Sequence, residues 1–212
     1  MKKQLKQKWM IIGLMIFALV LTVFNQFQLM SLKSGGSLAT GITDVSASIM
    51  PTGTPKVYGN ELGIDYDDVS ANNPSLADQT INIMANLDRT LDLEGNDLQR
   101  YIASVSEISC EYCCGAKSII FTNGESACGC AHSYAMRGLA KYLILNHGDT
   151  FTNADILEEL SKWKTLYFPS QMQAKAQVLK DKGIEFTYTN LGSNSYRGIE
   201  KGSAGSGMVG GC

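Results

Sequence analysis

Five of the six cysteines lie within 21 residues of each other, in two short motifs whose spacing suits soft-metal chemistry. The first motif reads Cys110-Glu-Tyr-Cys113-Cys114-Gly, and the second reads Cys128-Gly-Cys130-Ala-His132. A thiolate sulfur is a soft, charged donor, and each motif is short enough for its sulfurs to reach one ion. A C-x2-C pair followed by a C-x-C pair and a histidine therefore predicts a metal site.

The donor types favour zinc or copper(I) over magnesium or calcium. The candidate metal ligands are Cys110, Cys113, Cys114, Cys128, Cys130 and His132. Two further candidates are Met136, four residues after His132 on the same helical face, and the terminal Cys212, whose glycine-rich tail permits a close approach. Zinc would most simply take the four cysteines of the C-x2-C and C-x-C pairs, whereas copper(I) would accept fewer sulfurs, with His132 and Met136 assisting. The spacing does not choose between the two ions.

Two other uses of the cysteines stay open. Six cysteines can form three disulfides in 15 connectivities, which would make the chain a disulfide-stapled, protein-binding domain. Alternatively, a low-pKa thiol could make it a thiol–disulfide oxidoreductase. We see no set of catalytic side chains and no organic-cofactor motif, so we expect a binding, storage or delivery module rather than an enzyme.

Charge is distributed unevenly along the chain. Residues 1–43 hold five lysines and no acidic residue, so the remainder carries 13 basic and 20 acidic side chains. An acidic body disfavours nucleic acid as a partner, because phosphates require a basic surface.

The N-terminus predicts a membrane anchor. Four lysines precede Trp9, and the next charge after them is Lys33, which leaves 24 uncharged residues. As a helix this run would span about 36 Å, enough to cross a hydrocarbon core of about 30 Å. The positive-inside rule places the N-terminal lysines in the cytoplasm and the rest of the chain outside. Cleavage of a signal peptide after Ala39 is the alternative.

The remaining chain divides by composition into a linker, a folded domain and a tail. We expect a membrane anchor over residues 1–32, a flexible linker rich in Gly, Ser and Thr over 33–56, a helical Cys-rich ectodomain over 57–191, and a Gly/Ser-rich tail over 192–212. The expected fold is mainly α, with a short β arm at 117–127 that folds the two cysteine motifs back on each other.

Apolar periodicity and capping residues predict the helices of the ectodomain. Asn73-Pro74 indicates a helix start, with Leu76, Thr80, Ile83, Met84 and Leu87 on its buried face. Further helices are predicted near 96–106, over 131–146, after the capping sequence Thr152-Asn-Ala-Asp155, and from Pro169 to about Lys182. The alternating segment 184–189 predicts a strand.

The cysteine motifs and the helix after them resemble the bacterial PCYCGC-motif proteins, which are extracytoplasmic proteins with clustered cysteines. The resemblance covers about residues 110–170 and rests on Cys113-Cys114-Gly and Cys128-Gly-Cys130-Ala-His132. The Pro-Cys-Tyr-Cys-Gly-Cys string itself is absent. The resemblance implies a secreted or anchored protein and no particular mechanism.

Together these features predict a single-pass protein of the cell membrane with its N-terminus in the cytoplasm. Its expected partners are the membrane, a metal ion, and a protein that donates or accepts that metal.

Overall fold

Helices form nearly all of the regular structure in the part of the chain that the structure describes. A computed structural model of the protein describes residues 49–202 and 207–210. The α-helices in these residues are α1 (Gly59–Leu62), α2 (Pro74–Thr90), α3 (Gly95–Val105), α4 (Ala131–His147), α5 (Asn153–Tyr167), α6 (Pro169–Asp181) and α7 (Tyr188–Gly192). Two 3-10 turns, Tyr66–Asp68 and Asn194–Tyr196, complete the order. The prediction of a mainly helical domain is confirmed.

Local capping chemistry fixes several helix starts. The Asn73 side chain accepts a hydrogen bond from the Leu76 N–H, and Pro74 takes the first helical position of α2. Thr152 and Asp155 form a reciprocal capping box at the start of α5. Both starts were predicted from the sequence, because each depends on side chains only two or three residues apart.

Two sequence predictions are wrong. Ile83 is 39% exposed, because the buried face of α2 instead runs through Ala77, Thr80, Ile81, Met84 and Ala85. The predicted strand at 184–189 is absent; Thr187 caps the short helix α7, and its side chain accepts from the Asn190 N–H. The segment alternates as a strand would, but no other segment among the described residues pairs with it, so local capping determines its structure.

The arm between the cysteine motifs folds back without forming a regular strand. Its tip is a tight turn in which the Phe121 N–H donates to the Glu125 carbonyl at 2.7 Å. Ile120 and Ser126 form a single antiparallel bridge. The Ile119 N–H also donates to the Ile108 carbonyl at 3.2 Å, which ties the arm to the segment just before the first motif. The arm folds back as predicted, but among the described residues its β-structure is limited to the single bridge between Ile120 and Ser126.

Helix α4 lies at the centre of the domain, with its most extensive contact against α2 and further contacts with α3 and α5. Gly138 is a point of close approach between α2 and α4. A methyl group at its Cβ position would overlap the Met84 carbonyl oxygen and lie 2.7 Å from the Asp88 nitrogen. The missing side chain lets the α2 and α4 backbones touch.

The segments that flank the helices also enter the core. Ile49 is buried at the start of the described chain, and Val209 near its end is 4% exposed. The Val209 N–H donates to the Tyr167 carbonyl at 2.9 Å, so the end of the described chain lies against α5.

The predicted membrane anchor lies outside the described residues. Among the described helices, none combines the length and the apolar character that a membrane crossing requires.

We predict that Gly138→Ala lowers the free energy of unfolding by about 2 kcal/mol or more, because the added methyl group would push the two backbones apart. Helix propensity alone would favour alanine by about 1 kcal/mol, so the expected sign is opposite to the intrinsic preference. Urea unfolding of the full chain measures the effect. Gly129→Ala is the control, since nothing lies within 4 Å of its Cβ position. Equal stability of the two variants would contradict the proposed close contact.

Candidate metal centre

The first cysteine motif is a tight turn closed by its own backbone. The Cys110 carbonyl accepts hydrogen bonds from the N–H groups of Cys113 at 3.4 Å and Gly115 at 3.2 Å. Gly115 has a φ of 69°, a conformation that glycine adopts without strain. Arg197 donates from Nη2 to the Gly115 carbonyl at 2.8 Å, which attaches the turn to the C-terminal segment. The turn therefore sets the spacing of Cys110, Cys113 and Cys114.

The second motif is held by the buried side chain of Arg137, which is 1% exposed. Its Nη1 donates to the carbonyls of Cys128 at 2.8 Å and Ile119 at 3.3 Å. Its Nε donates to Asp88 Oδ2 at 2.9 Å, and Asp88 also pairs with Lys141 Nζ at 2.9 Å. One guanidinium thus joins α2, α4 and the chain on both sides of the arm.

Cys130 occupies the N-cap position of α4. Its sulfur accepts a hydrogen bond from the Ser133 N–H at 3.4 Å and lies 3.2 Å from the Ser133 hydroxyl. Unpaired N–H groups and the positive end of the helix dipole favour a negatively charged sulfur at this position.

The five sulfurs of the two motifs converge. The Sγ atoms of Cys110, Cys113 and Cys130 all lie within 4.8 Å of one another, and so do those of Cys110, Cys114 and Cys128. Cys114 and Cys128 form a disulfide across the two motifs. The three other cysteines of the described chain, Cys110, Cys113 and Cys130, lie outside that bond.

The pKa values of Cys110 and Cys130 shift in opposite directions because their sulfurs lie 3.2 Å apart. The pKa of Cys130 is lowered, chiefly by its hydrogen bond with Cys110, although burial opposes this; bonds with His132 and Ser133 lower it further. The pKa of Cys110 is raised by the same hydrogen bond and then by burial. These opposite shifts favour the thiolate form at Cys130 over that at Cys110.

His132 lies beside the cluster, buried between aromatic rings. Its Nε2 donates to the Val209 carbonyl at 2.8 Å, and its ring centroid lies 4.6 Å from that of Tyr167. Its hydrogen bond with Cys130 lowers the pKa of that thiol. Neither group of mutually close ligand atoms in the described chain includes a His132 nitrogen. His132 therefore orients Cys130 in this structure.

The two further candidates have different outcomes. Met136 is fully buried and belongs to the hydrophobic core. Cys212 lies outside the described residues, two positions beyond Gly210, whose Cβ position would be 3.6 Å from His132 Nε2.

A buried group of charges lies directly behind the first motif. The Glu111 carboxylate pairs with Lys164 Nζ at 3.0 Å and Lys175 Nζ at 3.5 Å, and Arg197 Nε lies 3.7 Å away. Lys164 and Lys175 are both fully buried. Burial alone would raise the pKa of Glu111, but the two lysines outweigh it and lower that pKa.

Positive charge is in excess in this group. A second buried carboxylate, Glu200, also acts on Tyr112, so the group holds three cations, Lys164, Lys175 and Arg197, and two carboxylates. Burial lowers the pKa of Lys164 to about 8, although Glu111 and Cys110 oppose this.

Sequence reasoning found all of the converging cysteines but missed the charged residues that position them. The burial of Lys164 could have been predicted, because this residue lies four positions after Leu160 on the buried face of α5. Nothing in the sequence indicated that Glu111 is buried, since an acidic residue inside a C-x2-C turn is ordinarily solvated. Arg137 follows Met136 in an apolar helix, and its partner Asp88 is 49 positions away.

Comparisons of the chain with family models, curated proteins and solved structures found no match.

We predict that Arg137→Met lowers the free energy of unfolding by about 3 kcal/mol, because it leaves buried Asp88 with Lys141 alone and removes one of the two donors from each of the Cys128 and Ile119 carbonyls. Urea unfolding followed by near-ultraviolet circular dichroism measures the loss. Arg89→Met is the matched control, since the exposed Arg89 packs over the same Tyr134 ring without reaching a buried carbonyl. If both variants lose the same amount, Arg137 contributes only its ring contact.

Proposed function

We propose that the protein binds one soft metal ion through Cys110, Cys113 and Cys130, and that it stores the ion or delivers it to a partner. The observation that carries the proposal is the convergence of these three sulfurs within 4.8 Å of one another from two segments separated by the arm.

The sulfur separations are compatible with a shared metal. With a metal–sulfur bond of about 2.3 Å, ligand sulfurs lie roughly 3.8 Å apart in a tetrahedral site and roughly 4.0 Å apart in a trigonal one. The Cys110–Cys130 separation of 3.2 Å would need to open by less than about 1 Å. Rotation about the side-chain torsions of partly exposed Cys113 and Cys130 supplies a movement of that size.

The oxidation state of the cluster bears on which ion it holds. While Cys114 and Cys128 are joined by the disulfide, three other cysteines of the cluster remain as possible ligands. Three soft ligands are enough for copper(I). Zinc ordinarily takes four ligands, and reduction of the disulfide would supply the fourth sulfur. We therefore infer copper(I) for the form with the disulfide and zinc for the fully reduced form.

The buried positive charge behind Cys110 supports an anionic metal–thiolate complex. Three thiolates around copper(I) carry two negative charges, and three around zinc carry one. The excess cation of the group formed by Glu111, Lys164, Lys175, Arg197 and Glu200 offsets part of that charge. In a medium of low dielectric constant, such compensation is strong at short range.

Access to the site favours exchange with a partner. Cys110 is fully buried, whereas Cys113 is partly exposed at the outer side of the turn. A thiol or imidazole of an acceptor protein would approach the ion from the Cys113 side and displace the ligands one at a time.

A fully stapled, protein-binding domain remains the main competing function. The cluster contains one disulfide and three cysteines outside it, whereas a domain that used its cysteines only as disulfide staples would pair them.

The uncharged N-terminal run of 24 residues supports anchoring in a membrane, with the metal site on its outer side.

The ligand assignment predicts which cysteines retain metal. In the full chain, Cys110→Ser and Cys130→Ser should each weaken copper(I) binding at least 100-fold, because loss of a group that only hydrogen-bonds to a metal ligand already costs about 10–100-fold. Competition with a chromophoric copper(I) chelator under argon measures the affinity, and elemental analysis measures the stoichiometry.

The double variant Cys114→Ser/Cys128→Ser is the matched control, since it removes two sulfurs of the same cluster and leaves the proposed three. It should keep one equivalent of copper(I). Loss of binding in this double variant, with retention in Cys110→Ser/Cys130→Ser, would refute the proposed ligand set. Absence of binding in the unaltered chain would refute the function itself.

The charge argument predicts that Lys164→Met weakens copper(I) binding about tenfold without changing the stoichiometry, because the complex loses a buried counter-charge. Lys162→Met is the control, since Lys162 pairs with Glu158 and Glu159 on the other side of the same helix. Circular dichroism verifies that both variants fold. An unchanged affinity in Lys164→Met would show that the buried lysine serves the fold alone.

A further inference from the structure

Cys130 lies between two other sulfurs that play opposite roles. Its Sγ atom is 3.6 Å from Cys128 Sγ, which belongs to the disulfide, and 3.2 Å from Cys110 Sγ, which does not. These separations are at or below van der Waals contact, so the Cys130 sulfur is within reach of a sulfur on either side. We propose that the cluster is an internal disulfide relay, in which Cys130 passes a disulfide between the exposed Cys114 end and the buried Cys110 end.

The relay consists of two exchange steps. In the first, the Cys130 thiolate attacks Cys128 Sγ; the Cys128–Cys130 bond forms, the Cys114–Cys128 bond breaks, and Cys114 leaves as a thiolate. In the second, the Cys110 thiolate attacks Cys130 Sγ; the Cys110–Cys130 bond forms and Cys128 leaves as a thiolate. Each step conserves one disulfide, so one electron pair has moved outward from Cys110 and Cys130 to Cys114 and Cys128.

The cysteines of the relay differ in burial, and this difference determines which of them an external disulfide can reach. Cys114 is exposed, whereas Cys110 is fully buried and Cys128 is 4% exposed. An external disulfide, either a small molecule or a protein, can therefore reach the cluster at Cys114. Attack by Cys114 on that disulfide releases one external thiol, and attack by Cys128 on the mixed disulfide releases the second and regenerates the Cys114–Cys128 bond.

The surroundings of Cys130 suit a sulfur that changes partners. The Ser133 N–H donates to it, and the Ser133 hydroxyl lies 3.2 Å from it, at the N-terminus of α4. Cys110, by contrast, is held by the backbone of its own turn, since its carbonyl accepts from Cys113 and Gly115. Small rotations of Cys130 between two fixed neighbours are sufficient for the transfer.

The relay deepens the proposed metal function but does not depend on it. If the metal site exists as proposed, a Cys110–Cys130 disulfide removes two of its three ligands, so oxidation at the surface would release the ion. The exchange itself requires no metal, and its test is therefore done on metal-free protein.

The test follows disulfide formation in the full chain with Cys212→Ser, so that only the five clustered thiols are present. The reduced, metal-free protein is mixed with oxidised glutathione under argon, quenched with acid at increasing times, alkylated, digested, and mapped by mass spectrometry. The expected order is a glutathione adduct on Cys114, then Cys114–Cys128, then Cys110–Cys130.

Three further variants decide the route. Cys114→Ser and Cys128→Ser should each slow the appearance of Cys110–Cys130 at least tenfold, while Lys162→Met, which alters a residue paired with Glu158 and Glu159 away from the cluster, should leave the rate unchanged. Formation of Cys110–Cys130 at the same rate in Cys128→Ser, a slow rate in Lys162→Met, or its absence in the parent chain would overturn the relay. Circular dichroism verifies folding, and copper(I) stoichiometry measured separately tests the metal site.

Discussion

The position of every sulfur in the cluster depends on how buried charge is neutralised around the two motifs. Arg137 holds the Cys128 carbonyl and Asp88 together, and Glu111 lies inside the first motif against Lys164 and Lys175. A buried charge without a partner is far more costly than a broken surface pair. The paired arrangement therefore leaves little freedom for either motif to move away from the other.

This dependence links the fold to the proposed chemistry. The contact between α2 and α4 at Gly138 places Asp88 within reach of Arg137, and Arg137 in turn fixes the chain that enters α4 at Cys130. The lysines of α5 and α6 meet Glu111 and leave an excess of positive charge behind Cys110. Helix packing, buried charge and thiol placement are thus parts of one arrangement. The proposed metal ion and the proposed disulfide exchange both require sulfurs that lie close together, and this arrangement places them so.

What the sequence predicted, and what it missed, follows the range of each interaction. The start of α2 at Asn73 and that of α5 at Thr152 could be read directly, because capping acts over three residues. The arm could be read from its Asn123-Gly124 turn, and so could the approach of the two cysteine motifs that follows from it. The strand predicted at 184–189 failed because a strand needs a distant partner that alternation cannot reveal. Two buried ion pairs could not be predicted for the same reason, because 49 positions separate Arg137 from Asp88 and 53 separate Lys164 from Glu111. The Cys114–Cys128 pairing was one of many connectivities that spacing alone allowed.

The central claim is that three cysteine sulfurs surround one metal ion. X-ray absorption at the copper edge of the copper(I)-loaded full chain tests it most directly, because the spectrum reports the type, number and distance of the donor atoms. The account predicts a shell of about three sulfurs at roughly 2.2–2.3 Å and no nitrogen in that shell. A shell dominated by nitrogen or oxygen, or one that is unchanged when Cys110 and Cys130 are both replaced by serine, would contradict it.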